Sequence, residues 1–318
     1  MLKLIQQSQK SRVQRLTLPF AGLLLGGALL LGVGSNSIGT VSAHTAVPHT
    51  TAAHALSSSM LSKQRAASQI ATLKTEALSL QQQLEQEATT WSNQHTYFDS
   101  YDGKTYNLGY EYQALANYPT QYLLDSAQSV ADYQYIIGQL QGWLANFTAY
   151  TSNFNDTTPY NQVHATDMQI MQQNSATTGQ AVVISLAEQA MRVYQDGQLV
   201  NAFQVVTGKP DHPSLPGNWQ IESKVTNTTF TSGKQPGQDG YYPPTPIAIA
   251  MQYHSDGYFI HQSWWRSQYG PNKQFPHMDP GGTLFANDGS HGCINMSTAD
   301  VTWLYTFAQV HTTKIIIY

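Results

Sequence analysis

The hydrophobic pattern of the chain changes at residues 175–180, and this change limits the fold more than any other feature. Before it, apolar residues recur every three or four positions, which is the period of a helix packed on a core. After it, short apolar runs alternate with turns rich in Gly and Pro, as they do in strands. The sequence therefore predicts a two-domain chain, with an all-α domain at 60–175 and a mostly-β domain at 180–318.

The first of these regions contains three predicted helices. The helix at about 60–92 has an apolar seam of about three heptads, formed by Ile70, Leu73, Ala77, Leu80, Leu84 and Trp91. A Tyr- and Gly-rich stretch at 97–112 interrupts the pattern. Pro119 suits the first turn of a second helix, and a third runs from Pro159 to about Gln173. We expect an antiparallel helical hairpin or bundle, with a dimeric coiled coil as the alternative.

The second region begins with an apolar strand at 181–186 and a hairpin turn at Asp196-Gly197. Further strands are expected at 199–207, 219–221, 247–253, 258–261 and 314–318. One helix is expected after Ser297, because this residue is a suitable N-cap with Asp300 three positions on. The pattern indicates a sandwich or barrel with one packed helix.

The N-terminus has the three parts of a secretory signal peptide at residues 1–43. Basic residues precede an apolar run at 16–33, and Val41-Ser42-Ala43 has the form of a cleavage site. An uncleaved anchor is the alternative, because the run is nearly long enough to span a bilayer. Either way the basic flank keeps the N-terminus in the cytoplasm. We therefore expect export to the cell wall, with residues 44–59 as a disordered linker.

Charge and composition exclude one class of partner. The formal net charge is −4, so the chain lacks the basic field that attracts nucleic acid. Charged residues make up 11% of the sequence, well below the roughly 25% typical of soluble domains. Uncharged polar residues take their place, which suits an extracellular protein that handles neutral polymer.

The chain has a single cysteine, Cys293, so an intrachain disulfide is impossible. It follows Ser290-His291-Gly292 and precedes the predicted helix, whose N-terminal dipole would lower the thiol pKa. The adjacent glycine lets backbone N–H groups approach a substrate and hold an oxyanion. With His291 nearby and His261 at a strand end, a thiol and an imidazole base are available for covalent acyl transfer. A buried, inert cysteine is the alternative.

Residues 180–318 resemble the L,D-transpeptidase catalytic domain of the YkuD type. The strand end Phe259-Ile260-His261 and the later motif Ser290-His291-Gly292-Cys293-Ile294-Asn295-Met296 follow the order seen in that family. The opening strand, the Asp196-Gly197 hairpin and the loop at 207–210 also resemble the start of the family domain. The helical region lies outside the resemblance.

The resemblance implies a peptidoglycan L,D-transpeptidase, a cysteine acyltransferase of cell-wall biosynthesis and cell shape that carbapenems target. Cys293 would attack the carbonyl of the third residue, a diamino acid, in a tetrapeptide stem. D-Ala would leave, and an amine of a neighbouring stem would resolve the acyl-enzyme into a 3→3 cross-link. Stem peptides are the implied partner, and no metal or organic cofactor is implied.

The resemblance also assigns roles to individual residues. His261 would be the general base, and His291 would orient or polarise the thiol site. The oxyanion site and its loop would be formed by Ser290, Gly292 and Asn295. Further substrate contacts are expected from Gln262, Trp264, Tyr253 and His277.

The segment between His261 and Cys293 is longer than is common in the family. It is rich in aromatic residues and glycine, and we expect it to form an enlarged lid over the cleft. His277 in this segment is a rival general base, although a strand end holds His261 more rigidly.

Other functions are also compatible with the motif. Water or a different amine could resolve the acyl-enzyme, giving an L,D-carboxypeptidase or an enzyme that attaches protein to the wall. A non-catalytic wall-binding protein is the alternative from another class. A penicillin-type serine enzyme is not expected, because the chain has no Ser-x-x-Lys motif.

Overall fold

The computed structural model describes residues 50–318. The predicted signal peptide at 1–43, with its cleavage site Val41-Ser42-Ala43, lies outside the described residues. The chain divides into units at 1–66 and 67–318, and every strand of the described residues belongs to the second unit. No helix within 50–318 combines the length and the apolar character that a membrane span requires.

Four helices come first in the chain. Helix α1 spans Thr50–Gln94, α2 Tyr110–Ser126, α3 Val130–Asn153 and α4 Ala165–Gln173. Helix α1 begins inside the segment expected to be a disordered linker, so that expectation is wrong for residues 50–59. Residues 50–59 contain no Gly or Pro, so none of them strongly opposes a helix.

Pro119 lies inside α2, not in the first turn of a helix as expected. Proline has no N–H, so it cannot donate to the carbonyl four residues earlier. The hydroxyl of Thr120 donates to that carbonyl, Leu115 O, at 2.7 Å. This side-chain bond satisfies the oxygen that Pro119 leaves free, and the helix continues to Ser126.

A β-hairpin occupies the Tyr- and Gly-rich stretch between the first two helices. Strands β1, Thr96–Asp99, and β2, Lys104–Asn107, pair antiparallel. The sequence pattern indicated this stretch only as an interruption of the helices.

The second half forms two open sheets. The five-stranded sheet has the order β5-β4-β3-β11-β6, with β3 Gln180–Ser185, β4 Ala190–Gln195, β5 Gln198–Gln204, β6 Gly217–Gln220 and β11 Lys314–Ile317. The four-stranded sheet has the order β10-β9-β8-β7, with β7 Ser223–Phe230, β8 Thr245–His254, β9 Tyr258–Gln262 and β10 Ile294–Met296. The predicted fold class is confirmed, as a sandwich with no closed barrel in the described part of the chain.

The predicted late helix is α5, Thr298–Phe307. The Ser297 hydroxyl accepts a hydrogen bond from the Asp300 N–H, so the predicted N-cap is present. Val301 and Leu304 on its inner face are fully buried.

Helices and sheets share one hydrophobic core. Asn146 on α3 donates from Nδ2 to Ile317 O on β11 at 2.7 Å. Asp167 on α4 accepts from Nε of Arg192 on β4, and both side chains are fully buried. Helices α3 and α4 therefore pack on the five-stranded sheet. The domain boundaries at 60–175 and 180–318 stay a prediction.

Candidate active site

Parallel strands β9 and β10 bring the motif residues together. Their register pairs Ile294 with Ile260 and Asn295 with His261. Because paired residues of neighbouring strands point to the same side of a sheet, Asn295 and His261 share one face, and Cys293 directly precedes β10. Residues separated by the whole insertion in sequence therefore meet at one end of the four-stranded sheet.

Both ring nitrogens of His261 are hydrogen-bonded. Nδ1 lies 2.7 Å from Gln262 O, and because a carbonyl only accepts, Nδ1 carries the proton. Nε2 lies 3.1 Å from Asn295 Nδ2. Burial of the ring, with a smaller contribution from the charge of Arg266, lowers the pKa of His261 to about 4. The resting side chain is a neutral imidazole with its lone pair on Nε2.

The Cys293 thiol differs from the sequence-based expectation. Burial raises the pKa of Cys293 to about 11, although the N–H of Phe259 acts in the opposite direction. The expected lowering by a helix N-terminus is wrong, because strand β10 and the N-cap Ser297 separate Cys293 from α5. The side chain is half-buried, with Sγ 3.8 Å from Gly257 O. Within the described residues, the thiol makes no hydrogen bond to an imidazole.

Glycine is required at position 292 for two reasons. Gly292 has a φ of 106°, a conformation that residues with a Cβ rarely adopt. A Cβ there would lie 2.9 Å from Tyr258 Cε1. The Gly292 N–H donates to Ser290 Oγ at 3.1 Å, so one of the expected oxyanion donors is already engaged in the resting loop. Ser290 acts here as a turn hydrogen-bonding residue.

Ser214 and Tyr110, which lie outside the motif, also help to hold the loop that contains Gly292. Ser214 Oγ donates to Gly292 O at 2.9 Å and accepts from the Gly208 N–H at the same distance. Tyr110 at the start of α2 donates from its hydroxyl to Gly208 O at 2.6 Å. The helical region therefore supports the loop that carries the thiol.

Comparison with known proteins identifies the region that carries this site. Residues 179–317 match the L,D-transpeptidase catalytic domain. This confirms the predicted family resemblance, and we refer to these residues as the L,D-transpeptidase-like domain. No curated protein matches the chain.

The chain is similar to several solved structures of L,D-transpeptidases. A Cys-to-Ser mutant of the Enterococcus faecium enzyme is 25% identical over 44% of this chain and 50% of its own, with a TM-score of 0.36. The catalytic domain of an E. faecium enzyme, solved by NMR, is 26% identical over 44% of this chain and 96% of its own, with a TM-score of 0.35. A Mycobacterium smegmatis enzyme is 20% identical over 44% and 58%, with a TM-score of 0.35. This chain spans about half the length of the first of these.

The second motif histidine of the L,D-transpeptidase-like domain contacts other aromatic rings. His291 is exposed, and its ring contacts those of His212 and Tyr242 with centroids 4.9 and 5.2 Å away. It makes no hydrogen bond to Cys293 in the described part of the chain. Its role in orienting the thiol stays a prediction.

The insert loop, which we define as residues 264–282, contains several tightly held side chains. Trp264 is half-exposed and donates from Nε1 to Pro246 O at 3.0 Å. Asp279 accepts from the N–H groups of Ser267 and Gln268 at 2.7 and 3.1 Å. Phe275 is fully buried between aromatic rings of the β1–β2 hairpin. The insert loop is thus held by hydrogen bonds within itself and by aromatic packing against the β1–β2 hairpin.

The other residues predicted to contact the substrate are Gln262, Tyr253 and His277, and they lie in different environments. Gln262 is buried, and its side chain accepts from the Ala248 N–H at 3.0 Å and donates to the Thr298 hydroxyl at 2.9 Å. These bonds connect β9 to β8 and to α5, which is a structural role. Tyr253 is buried, and its hydroxyl has no hydrogen-bond partner among residues 50–318. Burial raises the pKa of Tyr253, and the charge of a Cys293 thiolate raises it further. His277 Nδ1 lies 2.8 Å from Phe275 O. Nothing in the described residues joins His277 to Cys293.

Sequence reasoning missed three residues at this site. The pKa values of Tyr242 and Tyr258 are raised to about 12, first by burial and then by the charge of a Cys293 thiolate, which places both beside the thiol. Arg266 is buried and donates from Nε to Asn295 Oδ1 at 2.9 Å. Aromatic richness was the only sequence signal for the tyrosines, and Arg266 had none.

The side chains of the site suit covalent chemistry. No group of three or more His, Cys, Asp or Glu side chains within residues 50–318 is placed to hold a metal ion. The site contains a thiol and a neutral imidazole, two groups that are suited to acyl transfer.

Proposed function

We propose that the L,D-transpeptidase-like domain transfers an acyl group from a peptidoglycan tetrapeptide stem to a neighbouring stem through Cys293. The observation that carries the proposal is the pairing of Asn295 with His261 on parallel strands, with the His261 lone pair on Nε2 and with Cys293 directly before the strand that carries Asn295. The match of residues 179–317 to the family supports it.

In the first half of the reaction, the Cys293 thiol and the His261 imidazole begin neutral. Sγ attacks the carbonyl of the diamino acid while its proton moves to His261 Nε2, so the Asn295 amide must leave that lone pair. The C–N bond to D-Ala then breaks, and the leaving amine takes the proton from Nε2. A thioester on Cys293 and free D-Ala result.

In the second half, the side-chain amine of a neighbouring stem attacks the thioester. His261 accepts a proton from that amine, the C–S bond breaks, and the thiolate is reprotonated. The product is a 3→3 cross-link. If water attacks instead, the product is a tripeptide stem and the activity is that of an L,D-carboxypeptidase.

The test uses the full chain, because helices and sheets share one core. Muropeptides with a tetrapeptide stem are incubated with the protein, and products are identified by mass spectrometry. A 3→3 dimer supports transfer, a tripeptide alone supports hydrolysis, and Cys293→Ala should give neither. If no product forms and a carbapenem leaves no adduct on Cys293, a non-catalytic wall-binding role replaces this proposal.

The identity of the base is tested separately. We propose His261, so His261→Ala should abolish carbapenem acylation while His277→Ala retains it. The opposite result would make His277 the base.

Export remains part of the proposal. The basic and apolar leader supports placement of the domain on the outer side of the membrane, where peptidoglycan is found. N-terminal sequencing of the protein recovered from the cell wall should begin at His44. A start at Met1 would support the uncleaved anchor.

A further inference from the structure

Arg266 is a buried cation that lacks an ion-pair partner among the described residues. Its side chain is 7% exposed, and no carboxylate in residues 50–318 lies within salt-bridge distance of it. Burial lowers the pKa of Arg266 to about 10, which still leaves it charged at neutral pH. Because burying an unpaired charge is costly, we expect this charge to serve a function through the hydrogen bonds that hold it.

The hydrogen bonds of Arg266 lead directly to the proposed base. Nε donates to Asn295 Oδ1 at 2.9 Å, and a second guanidinium nitrogen donates to Ala286 O at 3.1 Å. A guanidinium has no acceptor, so Oδ1 of Asn295 must face Arg266. The Asn295 amide nitrogen must then face His261, and it lies 3.1 Å from Nε2.

Every bond in this series donates in the same direction. Arg266 donates to Asn295, Asn295 donates to His261 Nε2, and His261 Nδ1 donates to Gln262 O. A guanidinium at one end and a carbonyl at the other fix the direction, because neither can reverse its role. The guanidinium of Arg266 and the carbonyl of Gln262 therefore both require the imidazole proton to be on Nδ1.

We propose that Arg266 is a positioning residue that acts through Asn295 to hold His261 as a neutral imidazole with the lone pair on Nε2. The inference rests on the proposed acyl transfer, in which this lone pair receives the thiol proton. A protonated Nε2 would point its N–H at the Asn295 N–H and face the charge of Arg266. Both effects oppose the imidazolium, so His261 returns the proton readily to the leaving amine.

The other groups that face His261 within residues 50–318 are uncharged. The rings of Phe230 on β7 and Trp265 in the insert loop lie with centroids 5.1 and 6.0 Å from that of His261. Ala250 on β8 is its partner across the sheet. Arg266 is the one charged side chain, in the described residues, that acts on the pKa of His261.

A purely structural role would assign Arg266 to fastening the 3₁₀ turn at Leu284–Asn287 through Ala286 O. Such a role predicts a loss of stability with no change in the titration of His261. The titration of His261 therefore distinguishes the two roles, and it can be measured without substrate or activity.

The experiment is ¹⁵N NMR of the full chain labelled at histidine, with the His261 signals assigned by their loss in His261→Gln. In the unaltered protein we expect a protonated Nδ1 and an unprotonated Nε2 at neutral pH. A protonated Nε2 there would overturn the proposal without any variant.

Arg266→Met removes the donor while keeping a long side chain. We expect the pKa of His261 to rise by at least about one unit, a tenfold change in proton affinity, and a population of the Nε2-protonated tautomer to form. Arg266→Lys retains a donor and should restore part of the original titration. An unchanged titration in folded Arg266→Met would overturn the proposal, and so would a titration of Arg266→Lys no closer to the original than that of Arg266→Met.

Lys273→Met is the matched control, because it removes a cation from the same loop whose bond goes to Gln268 and not to Asn295. It should leave the His261 titration unchanged. If the tautomer is as expected but muropeptides and carbapenem leave Cys293 unmodified, the proposed function fails and the Arg266 assignment stands. Thermal unfolding of each variant confirms that folded protein was compared.

Discussion

The phenyl ring of Phe275 stacks on the ring of Tyr97, with centroids 4.9 Å apart and planes inclined by 22°. Tyr106 on the neighbouring strand stacks on Phe275 as well, at 5.1 Å. One aromatic residue of the insert loop is thus enclosed by a hairpin that lies outside the family match. The hairpin contributes to holding the loop beside strands β9 and β10.

Replacing Phe275 should therefore loosen the insert loop. Phe275→Ala removes a fully buried ring, and we expect a loss of about 3–5 kcal/mol in the free energy of unfolding. Limited proteolysis should cut within 264–282 faster than in the original protein. Phe285→Ala is the control, since Phe285 is 49% exposed and should change stability by no more than about 0.5 kcal/mol. Equal effects of the two changes would contradict the packing role.

The raised pKa of Cys293 predicts slow alkylation of its thiol at neutral pH. A shift from 9.0 to about 11 lowers the thiolate population at pH 7, so iodoacetamide should react roughly 100-fold more slowly than with an ordinary cysteine. The rate should keep rising up to about pH 11. The same chain unfolded in urea supplies the reference rate. A rate that levels off near neutral pH would mean that the site holds a thiolate.

The lowered pKa of His261 predicts where activity fails in acid. A general base must be unprotonated, and a pKa of about 4 moves the acid limb of the kcat/KM profile below that of an ordinary histidine. Carbapenem acylation should therefore persist at pH 5 and decline near pH 4. Tryptophan fluorescence at each pH shows whether the protein is folded. A decline centred near pH 6.5 in folded protein would contradict a buried base.

Gly292 offers a test of the loop geometry. Gly292→Ala places a Cβ 2.9 Å from Tyr258 at a positive φ, so we expect the loop to shift and carbapenem acylation to fall at least about tenfold. Gly138→Ala on α3 meets no atom within 4 Å and should stabilise the helix by about 0.5–1 kcal/mol. Full acylation by the Gly292 variant would show that this loop tolerates movement.

The buried ion pair between Asp167 and Arg192 should be essential to stability. Asp167→Ala removes the acceptor of Arg192 Nε and of the Tyr194 and Tyr318 hydroxyls, and leaves Glu188 as the carboxylate partner of the guanidinium. We expect a loss of about 3–5 kcal/mol in urea unfolding. Lys104→Met breaks an exposed ion pair with Asp102 and should cost no more than about 1 kcal/mol. A small effect at Asp167 would contradict the contribution of this ion pair to stability.

The strand end at His261 was predictable from sequence because it belongs to a short local motif. The role of Cys293 as nucleophile stays a prediction. The thiol pKa was not predictable, since β10 is only three residues long and gives no periodic signal between Cys293 and the helix. Arg266 and Phe275 could not be found, because their roles depend on how the insert loop folds back against Asn295 and the hairpin. The early start of α1 was not predicted, because a run of Ala, Ser and Thr is as typical of a linker as of a helix.

The position of β11 between β3 and β6 has a consequence for biosynthesis. Residues 314–317 pair with 181–184 on one side and 217–220 on the other, so the five-stranded sheet stays in two pieces until this strand has been synthesised. Contacts so distant in sequence form slowly. Until then β3 and β6 each present an unpaired edge that another chain can join. An interrupted translation product is therefore expected to aggregate, and a carrier that keeps the unfinished chain apart would be needed before folding is complete.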